Sequence, residues 1–179
     1  MDKQAIREEM LKKRDQISIE EHKYMDDLIF NTLKKYINSQ THIGVFLSFS
    51  SEINTLPFIT FLLEKGIKVS SSKMINHDLE FYQLESIYDI EIGKYNIPIP
   101  SSSYITKKEE INTMIVPILA FDENRNRLGY GKGYYDRYLS KFQGQKIGIA
   151  YDFQRVPFLQ KENHDIALDM IITELKTYE

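Results

Sequence analysis

The chain has 179 residues, 42% of them hydrophobic and 27% charged, with 26 acidic against 23 basic side chains and a net charge of −3. That length and balance fit one globular domain over residues 1–179 and exclude a disordered chain. The absence of cysteine excludes disulfides and thiolate zinc sites. The acidic balance speaks against the broad basic face that nucleic-acid binding needs.

Two helices are predicted first. Asp2 is placed to cap one that runs to about Arg14. This segment is charged and lacks the apolar core of a signal peptide, and no later run approaches the roughly 20 apolar residues of a membrane span. A cytoplasmic protein with no membrane partner is therefore expected. Ser18-Ile19-Glu20-Glu21 has the Ser-x-x-Glu spacing of a capping box and opens a second helix. Tyr24, Leu28, Leu33, Tyr36 and Ile37 give that helix an apolar face.

The period then changes. His42 to Phe49 reads as a buried strand centred on Ile43 to Leu47. Asn54 or Thr55 caps a following helix that ends near Gly66, a candidate C′ glycine. Ile67 to Ser71 reads as a strand, and this strand–helix–strand order points to a βαβ unit in a parallel sheet. Leu79 to Leu84 is a further candidate strand. Ser86 to Thr106, with Pro98, Pro100 and three consecutive serines, reads as a long surface connection. Asn112 to Pro117 is a short apolar strand, Gln145 to Tyr151 another, and Met170 to Thr173 a last one. A helix is predicted from the glycine segment to about Phe142, with Tyr135, Leu139 and Phe142 facing inward.

The chemistry concentrates in Arg127-Leu128-Gly129-Tyr130-Gly131-Lys132-Gly133-Tyr134-Tyr135-Asp136-Arg137-Tyr138. The glycines allow close backbone approach and positive φ, and amide N–H groups at a helix start favour an anion. Lys132, Arg127 and Arg137 add positive charge, while Asp136 offers oxygen to a metal. The spacing matches neither the Walker-type phosphate loop nor the dinucleotide-binding Gly-x-Gly-x-x-Gly. A tight loop entering an amphipathic helix is the plainer reading. It leaves unexplained why four of the twelve tyrosines fall between Tyr130 and Tyr138.

The run from Val116-Pro117 through Ala120-Phe121-Asp122 to Arg137 closely resembles the signature of the 5-formyltetrahydrofolate cyclo-ligase family, the 5,10-methenyltetrahydrofolate synthetases. Lys3-x-x-x-Arg7, Ser51-Glu52-Ile53-Asn54-Thr55 and His164-Asp165-x-x-x-Asp169 look like its other segments, so the resemblance covers nearly the whole chain. Asn126 stands where a glycine is common. Because Asn tolerates the left-handed region, the turn is expected to survive.

The resemblance implies a reaction: 5-formyltetrahydrofolate and MgATP give 5,10-methenyltetrahydrofolate, ADP and phosphate. It also implies roles. Lys132 and Arg127 are the expected catalytic residues. Lys3, Arg7, Arg127, Gly129, Gly131, Lys132, Gly133, Tyr134 and Tyr135 are expected to bind ATP. Leu47, Glu52, Tyr130, Lys132 and Tyr134 are expected to bind the reduced folate, with Glu52 accepting the donor pair of the pterin. Asp136 and Asp169 are the expected Mg²⁺ ligands. Each has a plainer alternative. Lys3 and Arg7, which share a helix stripe with Arg14, also fit a solvated basic face. Glu52 also fits a helix-start acid, Leu47 and Phe49 core packing, and Asp169 a turn or cap. His164 is assigned no role. The expected fold is a three-layer α/β sandwich whose mainly parallel central sheet is flanked by helices, in a monomer. Another ATP-dependent small-molecule kinase or transferase on the same scaffold and a non-catalytic nucleotide- or RNA-binding module are the rival readings.

Overall fold

The computed structural model describes residues 2–179. Local capping chemistry starts the first two helices as the sequence predicts. Asp2 accepts from the Gln4 amide at 3.2 Å and opens α1 (Lys3–Asp15). Ser18 and Glu21 exchange reciprocal bonds of 3.2 and 3.1 Å and open α2 (Ile19–Leu33). The first strand, β1 (His42–Val45), leads into α3 (Leu56–Glu64), and Gly66 takes φ +69 after it. Here Thr55 occupies the cap position without a capping bond, while the Asn54 carboxamide accepts from the Leu56 amide at 3.2 Å.

The next strand runs longer than the sequence suggested. β2 (Lys68–Ile75) turns at Asn76 and His77, both at positive φ, into β3 (Asp78–Leu84). The segment predicted as a surface connection carries a small hairpin, β4 (Ile90–Ile92) with β5 (Pro98–Pro100), and then β6 (Ile105–Thr106). The chain continues through β7 (Thr113–Pro117) and a second small hairpin, β8 (Ala120–Phe121) with β9 (Arg127–Leu128). Helix α4 (Tyr134–Leu139) is six residues long and stops short of Phe142. β10 (Gln145–Ile149), β11 (Met170–Ile172) and the unpredicted β12 (Thr177–Tyr178) complete the fold.

One eight-stranded sheet runs in the order β12-β11-β10-β7-β1-β2-β3-β6. The pairs from β11 through β10, β7 and β1 to β2 are parallel, and the flanking strands are antiparallel. Alternation along the strands divides the core between two faces. Ile43, Val45, Ile115 and Ile147 pack with Ile29 and Leu33 of α2 and Phe58, Ile59 and Leu62 of α3. Met114, Val116 and Ile171 pack on the other side with Tyr138 and Leu139 of α4 and with Phe142. The result is the expected helix–sheet–helix layering. Ile6 and Met10 of α1 join Leu119, Ala120 and Leu128 in a separate cluster, which fixes α1 beside the β8–β9 hairpin. That placement brings both beside the carboxyl ends of β1, β2 and β7, where open α/β sheets bind ligands.

Candidate active site

A cavity of about 480 Å³ opens at those strand ends, within the range of small-molecule sites. It is lined by residues distant in sequence: Lys3 and Arg7 of α1, Leu47, Phe49 and Glu52 after β1, Ser72 to Met74 of β2, and Ile97 to Ile99 near β5. The glycine segment from Arg127 to Asp136 forms much of one wall, and Glu162, His164 and Asp165 complete the rim.

The β8–β9 hairpin delivers Arg127 to this wall. Its turn is organised by the fully buried Asp122. That carboxylate accepts from the amides of Asn124 and Asn126 at 3.0 and 3.1 Å, and from the Asn126 carboxamide at 3.2 and 3.0 Å. The left-handed residue is Arg125, at φ 61, and not Asn126. Asn126 therefore serves the turn through hydrogen bonds of its side chain and backbone to Asp122, and not through a left-handed conformation.

Arg127 Nη2 donates to Asp136 Oδ1 at 2.8 Å, with side chains only 4% and 16% exposed. Oδ1 also accepts from the Ile166 amide at 3.2 Å. The buried Arg127 Nε has no hydrogen-bond partner among the described residues. The guanidinium lies 5.9 Å from the Tyr135 ring centroid. Tyr135 Oη sits 3.4 Å from Ser72 Oγ, and burial pushes its phenol well above the ordinary range.

Gly131 and Gly133 take φ +94 and +67, conformations that favour glycine. A Cβ at Gly131 would lie 3.1 Å from the Arg7 guanidinium, so the loop passes directly over α1. Arg7 Nε donates to the Gly129 carbonyl at 2.9 Å. Lys132 is exposed, and its ammonium makes no ion pair among the described residues, while its carbonyl accepts from Arg137 Nη1 at 3.0 Å. Lys3 Nζ lies 2.7 Å from Glu162 Oε1 and 3.2 Å from Asp165 Oδ2. His164 Nε2 is 3.5 and 3.7 Å from the same two acids. Tyr134 lines the cavity, with the Arg137 guanidinium 5.2 Å from its ring centroid.

Glu52 sits across the cavity in the turn after β1. Its Oε1 accepts from Tyr130 Oη and its Oε2 from the Phe49 amide, both at 2.9 Å. Burial pushes the Glu52 carboxyl up, against the Phe49 amide, the Tyr130 hydroxyl and the Arg14 charge, which pull it down. The Tyr130 phenol is pushed up to about 12 by burial and by the Glu52 charge. Arg14, buried at 2% exposure, donates from Nη2 to Tyr130 Oη at 2.9 Å. Leu47 and Phe49 line the cavity near Glu52, and Leu47 also packs against the core.

Asp169 is not brought to the cavity. Its Oδ2 accepts from the Lys146 amide at 2.7 Å and pairs with Lys146 Nζ at 3.0 Å. A carboxylate committed to β10 in this way caps the strand start, so the metal role expected for it is not retained. Among the described residues no three His, Asp or Glu side chains gather as a metal cage. Arg14, Glu162 and Asp165 are site residues that local patterns did not assign. Arg14 left a signal in its position seven residues after Arg7 on the α1 stripe and Asp165 in the segment His164-Asp165-x-x-x-Asp169, while Glu162 left none.

The profile of the 5-formyltetrahydrofolate cyclo-ligase family matches residues 1–174. The chain belongs to the 5-formyltetrahydrofolate cyclo-ligase family. It is therefore an enzyme of the ligase class. It is 31% identical over 177 residues to the 5-formyltetrahydrofolate cyclo-ligase of Mycoplasma pneumoniae, covering 97% of this chain and 99% of that one. The solution structure of Aquifex aeolicus 5,10-methenyltetrahydrofolate synthetase superposes with a TM-score of 0.88 at 28% identity, over 99% and 92% of the two chains. The Mycoplasma pneumoniae 5,10-methenyltetrahydrofolate synthetase superposes with a TM-score of 0.80 at 30% identity, over 97% and 99%. None of the helices of this cyclo-ligase family member, among the described residues, is long and apolar enough to cross a membrane.

Proposed function

We propose that the enzyme converts 5-formyltetrahydrofolate and MgATP to 5,10-methenyltetrahydrofolate, ADP and phosphate. The observation that carries this is the meeting, in one cavity, of a cationic loop and a half-buried carboxylate, joined by the 2.9 Å bond from Tyr130 to Glu52. The reaction has two chemical demands. A formamide carbon is a weak electrophile, and its oxygen is a poor leaving group. Transfer of the γ-phosphoryl group to the formyl oxygen answers both. N10 then attacks the activated carbon, the C–O bond breaks with departure of phosphate, and the N10 proton is lost.

Phosphoryl transfer needs in-line positioning and charge neutralisation more than a covalent partner on the protein. The glycine segment, Lys132, Arg127, Lys3 and Arg7 are the groups for the triphosphate. Lys132, exposed at the cavity with no ion pair among the described residues, is placed to follow the transferring group, while Arg127 is held by Asp136. Lys3 exchanges carboxylate partners for phosphate oxygens on binding. Asp136 keeps Oδ2 clear of protein hydrogen bonds among the described residues. One carboxylate together with substrate phosphates is an ordinary donor set for Mg²⁺, so the residues fit an ion that arrives with ATP. Such an ion neutralises phosphate charge.

On the folate side, Glu52 accepts from the pterin amino group and the adjacent ring N–H. Leu47, Phe49, Tyr130 and Tyr134 supply apolar and aromatic contact. The test is direct. Protein mixed with 5-formyltetrahydrofolate and MgATP is followed by the near-ultraviolet absorbance of the methenyl product. A rise that needs both substrates is expected, and no rise with folded protein overturns the proposal.

A further inference from the structure

We infer that Arg14 is a positioning residue for folate recognition, acting through the Tyr130 hydroxyl to fix the direction and charge of Glu52. This rests on the assignment of Glu52 to the pterin made above. Arg14 lies a full two turns beyond Arg7 on α1 and is 2% exposed. A buried guanidinium needs a counter-charge. None of the ion pairs among the described residues involves Arg14, and its side-chain bonds go to Tyr130 Oη at 2.9 Å and, weakly, to Ser51 Oγ at 3.4 Å. Its counter-charge is Glu52, reached through the tyrosine.

While Glu52 is ionised, the chain of bonds has one polarity. An arginine donates and never accepts, so Arg14 occupies a lone pair of Tyr130 Oη. The single tyrosine proton is then left for Glu52 Oε1, 2.9 Å away. The second carboxylate oxygen is held by the Phe49 amide. Glu52 thus keeps a fixed orientation, with its unused lone pairs left for two donors of a ligand. The backbone of Arg14 is fixed as well, since His22 Nε2 lies 3.3 Å from its carbonyl and His22 Nδ1 lies 2.6 Å from Tyr151 Oη. Helix α1 therefore holds the glycine loop at two points, through Arg7 at Gly129 and through Arg14 at Tyr130.

The charged and titratable groups that face Glu52 are Arg14 from α1, Tyr130 from the loop and Tyr135 from α4. Burial raises the Glu52 carboxyl, and Arg14 and Tyr130 oppose it. Removing either raises the carboxyl further. More of it is then protonated at a given pH, and a protonated carboxyl is a poorer acceptor for the pterin donors. The acid limb of kcat/KM for the folate should move to higher pH.

The experiment measures kcat and both KM values across pH for the wild type, Arg14→Gln, Arg14→Lys, Tyr130→Phe and Glu52→Gln. Arg14→Gln and Tyr130→Phe are expected to raise the folate KM about tenfold at neutral pH, the loss of roughly one charge-assisted hydrogen bond. The ATP KM should hold, the acid limb should move up, and Arg14→Lys should restore part of it. An unmoved acid limb in Arg14→Gln and Tyr130→Phe overturns the inference, and with a raised folate KM in Glu52→Gln it leaves the pterin assignment standing. An unchanged folate KM in Glu52→Gln removes that assignment and the inference with it. Should Arg14→Gln fail to fold, Tyr130→Phe, which keeps the ring, decides alone.

Discussion

The two sides of the cavity are held by different forces. The glycine loop is fixed largely by charge: Arg127 on Asp136, Arg7 on the Gly129 carbonyl, and Arg137 on the Lys132 carbonyl. The turn carrying Glu52 is fixed mainly by hydroxyl and backbone bonds within its own span, with a further bond to Asp26 of α2. Thr55 Oγ1 donates to the Phe46 carbonyl at 2.8 Å and accepts from the Ser48 amide at 3.2 Å, while the Asn54 amide donates to the buried Asp26 at 3.1 Å. Loop cations can exchange protein oxygens for phosphate oxygens with little net loss of pairing. The turn has no such freedom, and its ligand meets an acceptor already in place. One wall of the site is built to trade partners and the other to stay put.

Four substitutions break or sharpen that contrast. The largest effects belong to the loop. Lys132→Ala should lower turnover by on the order of 100-fold, while unfolding stability stays within about 0.5 kcal/mol because the side chain is exposed. Asp136→Asn should lose turnover too, and also about 3 kcal/mol of stability, because it leaves a guanidinium with 4% exposure uncompensated. Steady-state assays and urea midpoints on the same samples separate the two, and equal stability loss in both variants would contradict the charge-based account. Thr55→Val tests the turn. It keeps shape but leaves the Phe46 carbonyl and Ser48 amide unpaired, so a loss of about 1–3 kcal/mol in denaturant unfolding is expected with turnover near normal. The smallest effect is expected at Asp169→Asn. The Mg²⁺ concentration giving half-maximal activity should not move, and stability should fall by no more than about 1 kcal/mol. A shifted metal requirement would return this acid to the site.

The same contrast explains what the sequence made legible. Signals spanning a few residues were sufficient for α1 and α2, where Asp2 and the Ser18–Glu21 box act locally, and for Gly66. The loop was legible because its chemistry is contiguous from Arg127 to Asp136. Partners that meet across the fold left no such trace: Tyr130 and Glu52 are 78 residues apart, and Tyr130 and Arg14 are 116 apart. The turn at Asn76-His77 hid the length of β2, since neither residue is the glycine that positive φ favours. Pro98 and Pro100 read as breakers, yet in a two-stranded hairpin the outer side of the strand needs no amide donor, so both fit β5. Asp169 shows the converse. The resemblance implied a metal role for this acid, and in the fold its carboxylate pairs with Lys146.

The outermost strands of the main sheet, β6 and β12, are two residues long. A cavity at the ends of parallel strands requires a wide sheet, and a wide sheet ends in rows of unpaired amides and carbonyls that another chain can add to. Here each margin offers a very short ladder, and the stretch of β3 beyond β6 bears Asp78 and Glu80. Strand length and acidic side chains at the margins thus guard against edge-to-edge association, the hazard that comes with building a ligand site on so broad a platform.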